Sequence, residues 1–123
     1  MSRIIKATGG LEINIDHNAE GVFVCLNGRL DFDSSPCLRD SLLALLEGEH
    51  PEALVVDLTE TPYIDFSGIA TLIEALKIAR NHETTLRLKG LHGPLLHLFE
   101  VTGLSALFET TGPENHSAVS KVL

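Results

Sequence analysis

The 123-residue sequence predicts an α/β fold, a mixed sheet with helices packed on it. Three observations carry that prediction. Residues Leu11, Ile13 and Ile15 alternate with Glu12, Asn14 and Asp16, the period of a half-buried strand. Ala53–Leu58 is a near-continuous apolar run, the signature of a strand that is central or covered on both faces. Ile69, Leu72, Ile73 and Leu76 then recur at the spacing of one helix face. A single domain over residues 1–123, with its core at about 11–110, fits the length.

Residues 1–10 are expected to fray or to lie at an edge. The polar stretch His17–Gly21 reads as a hairpin loop between the strand at 11–16 and a second strand, Val22–Asn27. Gly28-Arg29-Leu30-Asp31 closes that strand. Asp33, Ser34 and Ser35 before Pro36 form a helix start, because cap residues accept from free N–H groups and proline suits the first turn. Leu38, Leu42, Leu45 and Leu46 make this helix's buried stripe, and Gly48 is expected to end it.

The run 53–58 leads through Tyr63-Ile64-Asp65-Phe66-Ser67-Gly68 into a second helix at about 67–81. Leu86 and Leu88, alternating with Thr85, Arg87 and Lys89, give a strand parallel to the one at 53–58. Gly93-Pro94 opens a third helix carrying Leu95, Leu98 and Phe99, with Gly103 at its end. Leu104, Leu107 and Phe108 form a last apolar patch, read as a short strand or a turn, and a further helix is expected in the tail after Gly112-Pro113.

Composition narrows the function. The formal charge of −8 leaves no basic patch to neutralise phosphates, which argues against nucleic acid and anionic membrane as direct partners. No apolar run approaches the length of a membrane span and no signal-peptide core is present, so a soluble cytoplasmic protein is expected. Cys25 and Cys37 read as reduced thiols, although two cysteines alone leave one disulfide open. The six histidines are scattered, and His92 and His97 do not share a helix face as paired ligands would, so no metal site is expected. Phosphate-binding glycine loops and a nucleophile elbow are absent. No nucleophile, base and orienting group assemble from the sequence, so neither catalytic residues nor a cofactor are expected.

The loop before the second helix is the strongest functional candidate. Asp65 and Ser67 stand at a helix N-terminus, where free N–H groups and the helix dipole favour negative charge. They are either simple caps or part of a site. A phosphate on Ser67 would add about −1.5 to −2 charges and three acceptor oxygens without disturbing the helix start. Phe66 either packs into the core or stands exposed as a binding anchor.

The Gly28-Arg29-Leu30-Asp31 turn, the Tyr63–Ile69 loop and Phe99-Glu100-Val101-Thr102-Gly103-Leu104, taken in this element order, resemble the STAS domain. That is the family of bacterial anti-sigma factor antagonists, found also in sulfate transporters. The resemblance implies a mixed four- to five-stranded sheet flanked by about four helices. It also implies a non-enzymatic, protein-binding role in bacterial signalling and transcription regulation. The antagonist sequesters an anti-sigma factor that is also a serine kinase, and phosphorylation at the start of the second helix releases it.

By position, Asp31, Asp65, Phe66, Ser67 and Gly68 are the partner-binding candidates, and Ser67 is the phosphorylation candidate. The family's usual acceptor position, directly after the motif's aspartate, is occupied here by Phe66. The resemblance leaves an alternative role, as the small cytoplasmic STAS subunit of an ABC-type phospholipid transport complex or of a stress-signalling assembly. Monomer and dimer both fit, since an uncovered sheet edge can pair.

Overall fold

The structure is a computed structural model and describes residues 2–111. A six-stranded sheet runs in the order β1-β2-β3-β4-β5-β6: Ser2–Lys6, Glu12–Asn18, Gly21–Asn27, Ala53–Glu60, Thr85–Lys89 and Glu109–Thr111. The first three strands are antiparallel neighbours, whereas β3, β4, β5 and β6 pair in parallel. Three helices connect the parallel strands: α1 (Ser35–Glu49), α2 (Phe66–Asn81) and α3 (Gly93–Val101).

The expected mixed α/β class therefore stands, with an additional strand at each edge. β1 realises the edge expected of the N-terminus. Of the short strand or turn expected at 104–108, the turn forms there and the strand follows it: Glu109-Thr110-Thr111 carries no apolar alternation, and its pairing with β5 makes it β6. The expected tail helix lies outside the described residues.

One face of the sheet is the core. Ile13, Ile15, Val22, Val24, Leu26, Leu54, Val56, Leu58, Leu86 and Leu88 are buried there against the helices. From α1 come Leu38, Leu42, Leu45 and Leu46, from α2 Leu72, Ala75, Leu76 and Ala79, and from α3 Leu95 and Phe99. Phe99 meets Phe108 with ring centroids 6.3 Å apart, closing the core below β6. Leu104 lies in a short 3₁₀ turn, Leu104–Ala106, after Gly103, whose φ of +78° suits a helix end.

The other face lacks a helical cover among the described residues. In register across it stand Ile4, Asn14, Cys25, Asp57 and Lys89, and Cys25 is an exposed free thiol, as Cys37 is a half-buried one. β4 is central but not covered on both sides: Val55 is buried by its neighbours, and Asp57 is half-buried. α1 runs one residue past Gly48, and His50 takes the left-handed C-cap with φ of +49°. Helix propensity alone made Gly48 look like the stop. The continuing backbone bonds place the turn later.

Candidate functional site

The site lies where the chain leaves β3 and β4. These parallel strands end side by side, so their outgoing loops meet. Gly28 N donates to Glu60 O (3.1 Å), Leu30 N to Tyr63 O (3.0 Å) and Asp65 N to Leu30 O (3.1 Å). An isolated parallel bridge joins Leu30 to Ile64, and both side chains are buried. The two loops thus form one rigid ledge rather than two mobile segments, because their backbone groups satisfy one another.

Asp31 organises the first loop. One carboxylate oxygen accepts from the N–H of Asp33 (3.0 Å) and of Ser34 (3.2 Å). The buried Ser34 hydroxyl accepts from Asp31 N (3.0 Å) and donates to Arg29 O (2.9 Å), while Ser35 Oγ donates to Asp31 O (2.7 Å). The other carboxylate oxygen faces Arg29 Nε at 3.6 Å. Partial desolvation acts to raise the Asp31 pKa, but the bonds from Ser34, Asp33 and Arg29 together outweigh it and hold the carboxyl below its ordinary range. Arg29 also lies over the Tyr63 ring, 4.3 Å from its centroid, a cation–π contact that ties the first loop to the second.

Asp65 does two things at once. Its Oδ1 accepts from Gly68 N (3.1 Å), an N-cap bond to the third residue of α2. Its Oδ2 accepts from Phe32 N (3.0 Å) in the other loop. Asp65 is therefore a cap, as its position allowed, and also the clasp between the loops. Asp31 and Asp65 come to the same end of the sheet, although each carboxylate is turned to backbone N–H groups rather than to the other.

The remaining candidates separate by exposure. Phe66 is the first residue of α2 and is 86% exposed, so it does not pack into the core. Ser67 is half-buried, and among the described residues its hydroxyl has no hydrogen-bond partner. Gly68 is buried: a Cβ there would sit 2.8 Å from Ile64 Cγ2 and from Leu30 Cγ, so its role is to let α2 approach the Leu30–Ile64 bridge. Sequence reasoning missed Phe32, which is 75% exposed, and the Arg29–Tyr63 contact. An aromatic set between two aspartates in a turn was the available signal for Phe32.

Among the described residues, no group of three or more histidine, cysteine or acidic side chains is placed to hold a metal. None of their helices is long and apolar enough to cross a membrane.

The family model for the STAS domain, described as "Mlab, STAS domain", matches residues 13–109. The chain belongs to the STAS domain family. This STAS domain is 29% identical over 99 residues to the anti-sigma-B factor antagonist of Listeria monocytogenes, a match covering 80% of this chain and 86% of that protein. It is 29% identical over 101 residues to the anti-sigma-B factor antagonist of Bacillus subtilis, covering 80% and 91%. The crystal structure of an anti-sigma factor antagonist from Mycobacterium paratuberculosis superposes with a TM-score of 0.75 at 18% identity, over 96% of this chain and 97% of that one. At that identity the last likeness speaks for the fold.

Proposed function

We propose that this STAS domain is an anti-sigma factor antagonist, a binding module that sequesters an anti-sigma factor through the ledge formed by the β3 and β4 exits. It carries out no chemistry itself; it regulates transcription in the cytoplasm by holding a partner. The observation that carries this reading is Phe66, 86% exposed at the start of α2 on loops locked by backbone bonds. An exposed aromatic on a rigid base suits an interface anchor, since little order is lost when it binds. The similarity to curated antagonists supplies the class of partner.

Asp31, Asp65 and Gly68 then shape the surface, and Phe66 and Ser67 meet the partner. Ser67 is the phosphorylation candidate. It stands at the second position of α2, where a phosphate meets free N–H groups and the positive end of the dipole. Placed directly beside Phe66, the phosphate would have to give up its water to enter the apolar surface that takes the ring, which opposes binding while leaving the domain folded.

The test is direct. Each purified serine-kinase anti-sigma factor of the same genome is titrated with the wild-type domain and with Phe66→Ala, first without and then with ATP. Binding by one of them, weakened by about 2 kcal/mol or more in Phe66→Ala at unchanged melting temperature, is the expected result. A phosphate on Ser67, read by intact mass and absent in Ser67→Ala, accompanied by release of the complex, establishes the switch. Stable binding with no phosphate means that Phe66 at the usual acceptor position has left a constitutive antagonist. Binding to none of them, with recovery of transporter components instead, overturns the reading.

A further inference from the structure

The fold leaves a second exposed phenylalanine on the same ledge, its backbone one hydrogen bond from the residue before Phe66. Phe32 is 75% exposed and Phe66 is 86% exposed, and each directly follows an aspartate of the ledge, Asp31 and Asp65. They are not independent. The N–H of Phe32 donates to Asp65 Oδ2 (3.0 Å), while Asp65 Oδ1 caps the helix that Phe66 begins. A single carboxylate thus fixes the backbone at both rings.

Two phenylalanines this exposed on a hydrogen-bonded base leave much apolar surface in water. From this we infer that Phe32 and Phe66 form a two-pronged anchor for a protein partner that presents an apolar cleft rimmed by lysine or arginine side chains. Charge selects that occupant. Asp33 is exposed beside Phe32, Asp31 and Asp65 are half-buried next to the rings, and the nearby cation, Arg29, is engaged with Asp31 and Tyr63. The rim is acidic, as is the whole chain at −8. An anionic membrane, which could take up two aromatic side chains, is repelled by that rim. A second copy would bring two such acidic rims face to face, a like-charge contact that disfavours the symmetric dimer. A basic-rimmed cleft meets both the rings and the charge.

This rests on the proposed role only for the partner's class, and the experiment separates the two. A photo-crosslinking phenylalanine analogue is placed at position 32, at 66 and, as a control, at Val101, which is 64% exposed elsewhere. The full-length proteins are irradiated in the host cell, and the adducts are mapped by mass spectrometry. The inference expects positions 32 and 66 to reach the same protein, at neighbouring points of one apolar cleft bordered by basic residues, and position 101 not to reach it. If that protein is not an anti-sigma factor, the proposed function falls and the anchor stands. Adducts from 66 alone, adducts to different proteins, none at all, or adducts to a second copy of this chain overturn the anchor.

The mapped protein is then purified for calorimetry. Phe32→Ala and Phe66→Ala should each weaken binding at least about 10-fold, with Ile4→Ala, at another exposed apolar site, unchanged. Asp65→Ser keeps a capping oxygen for α2 but is too short to hold Phe32 N as well, so it should weaken binding in the wild type far more than in the Phe32→Ala background. Equal losses in both backgrounds, or full binding by Phe32→Ala, overturn the coupling. Flotation of the wild-type domain with phosphatidylglycerol vesicles would overturn the choice of a protein partner.

Discussion

The acidic side chains of the two loops bind backbone N–H groups. Asp31 holds the N–H groups of Asp33 and Ser34, and Asp65 holds those of Gly68 and Phe32. Because the Asp31 carboxyl titrates below its ordinary value in the folded state, its contribution to stability is present above the ordinary carboxylate range. It is lost as pH falls through the folded value. Melting curves from about pH 6 to about pH 2 should show Asp31→Asn less stable than wild type at the upper end, with the two converging at the lower. A constant gap would mean that this carboxylate is not the source. Gly68 makes the complementary case. Alanine is the better helix former by about 1 kcal/mol, yet its Cβ would press on Leu30 and Ile64. Gly68→Ala should therefore lose about 1–3 kcal/mol in urea denaturation.

Among the elements, α1 and α2 show which sequence signals were legible. In α1 the stripe Leu38, Leu42, Leu45 and Leu46 is all core, whereas in α2 Leu72 and Leu76 are core, Ile69 and Ile73 are half-buried against it, and Ala75 and Ala79 complete the buried face. Leu42→Ala, at a site 1% exposed, should cost about 2–5 kcal/mol with the slope of denaturation unchanged. On the outer side the helices are joined by Arg39 and Glu74, whose two charge-assisted bonds are both 2.8 Å. That pair is solvent-facing, and an exposed pair of this kind contributes little compared with the leucines. β6 was illegible for the opposite reason. Its residues have no apolar period, and among the described residues it is the pairing with β5 that makes it a strand.

Across the whole molecule, the helices gather on one face of the sheet and the candidate ledge sits at the end where β3 and β4 exit. Net charge acts at this scale as well. With −8 on a 123-residue chain, a basic-rimmed partner is steered toward it over distances near the Debye length, ~10 Å at 0.1 M salt. Association should slow by about 10-fold or more between low and high salt, measured by stopped flow, while dissociation changes less. A salt-independent association rate would show that charge does not guide the encounter.

Period and local chemistry are enough for the mixed α/β class, the core leucines, the helix starts, and Asp31, Asp65 and Ser67 as residues at loop ends. Those follow from rules that act within a few residues. Which loops meet, that Asp65 clasps Phe32, that Gly68 is a spacer, and that Phe66 faces water rather than the core are set by the folded arrangement. Each of these depends on parallel strands far apart in sequence ending side by side, a juxtaposition set by sheet pairing and the packing of the helices behind it.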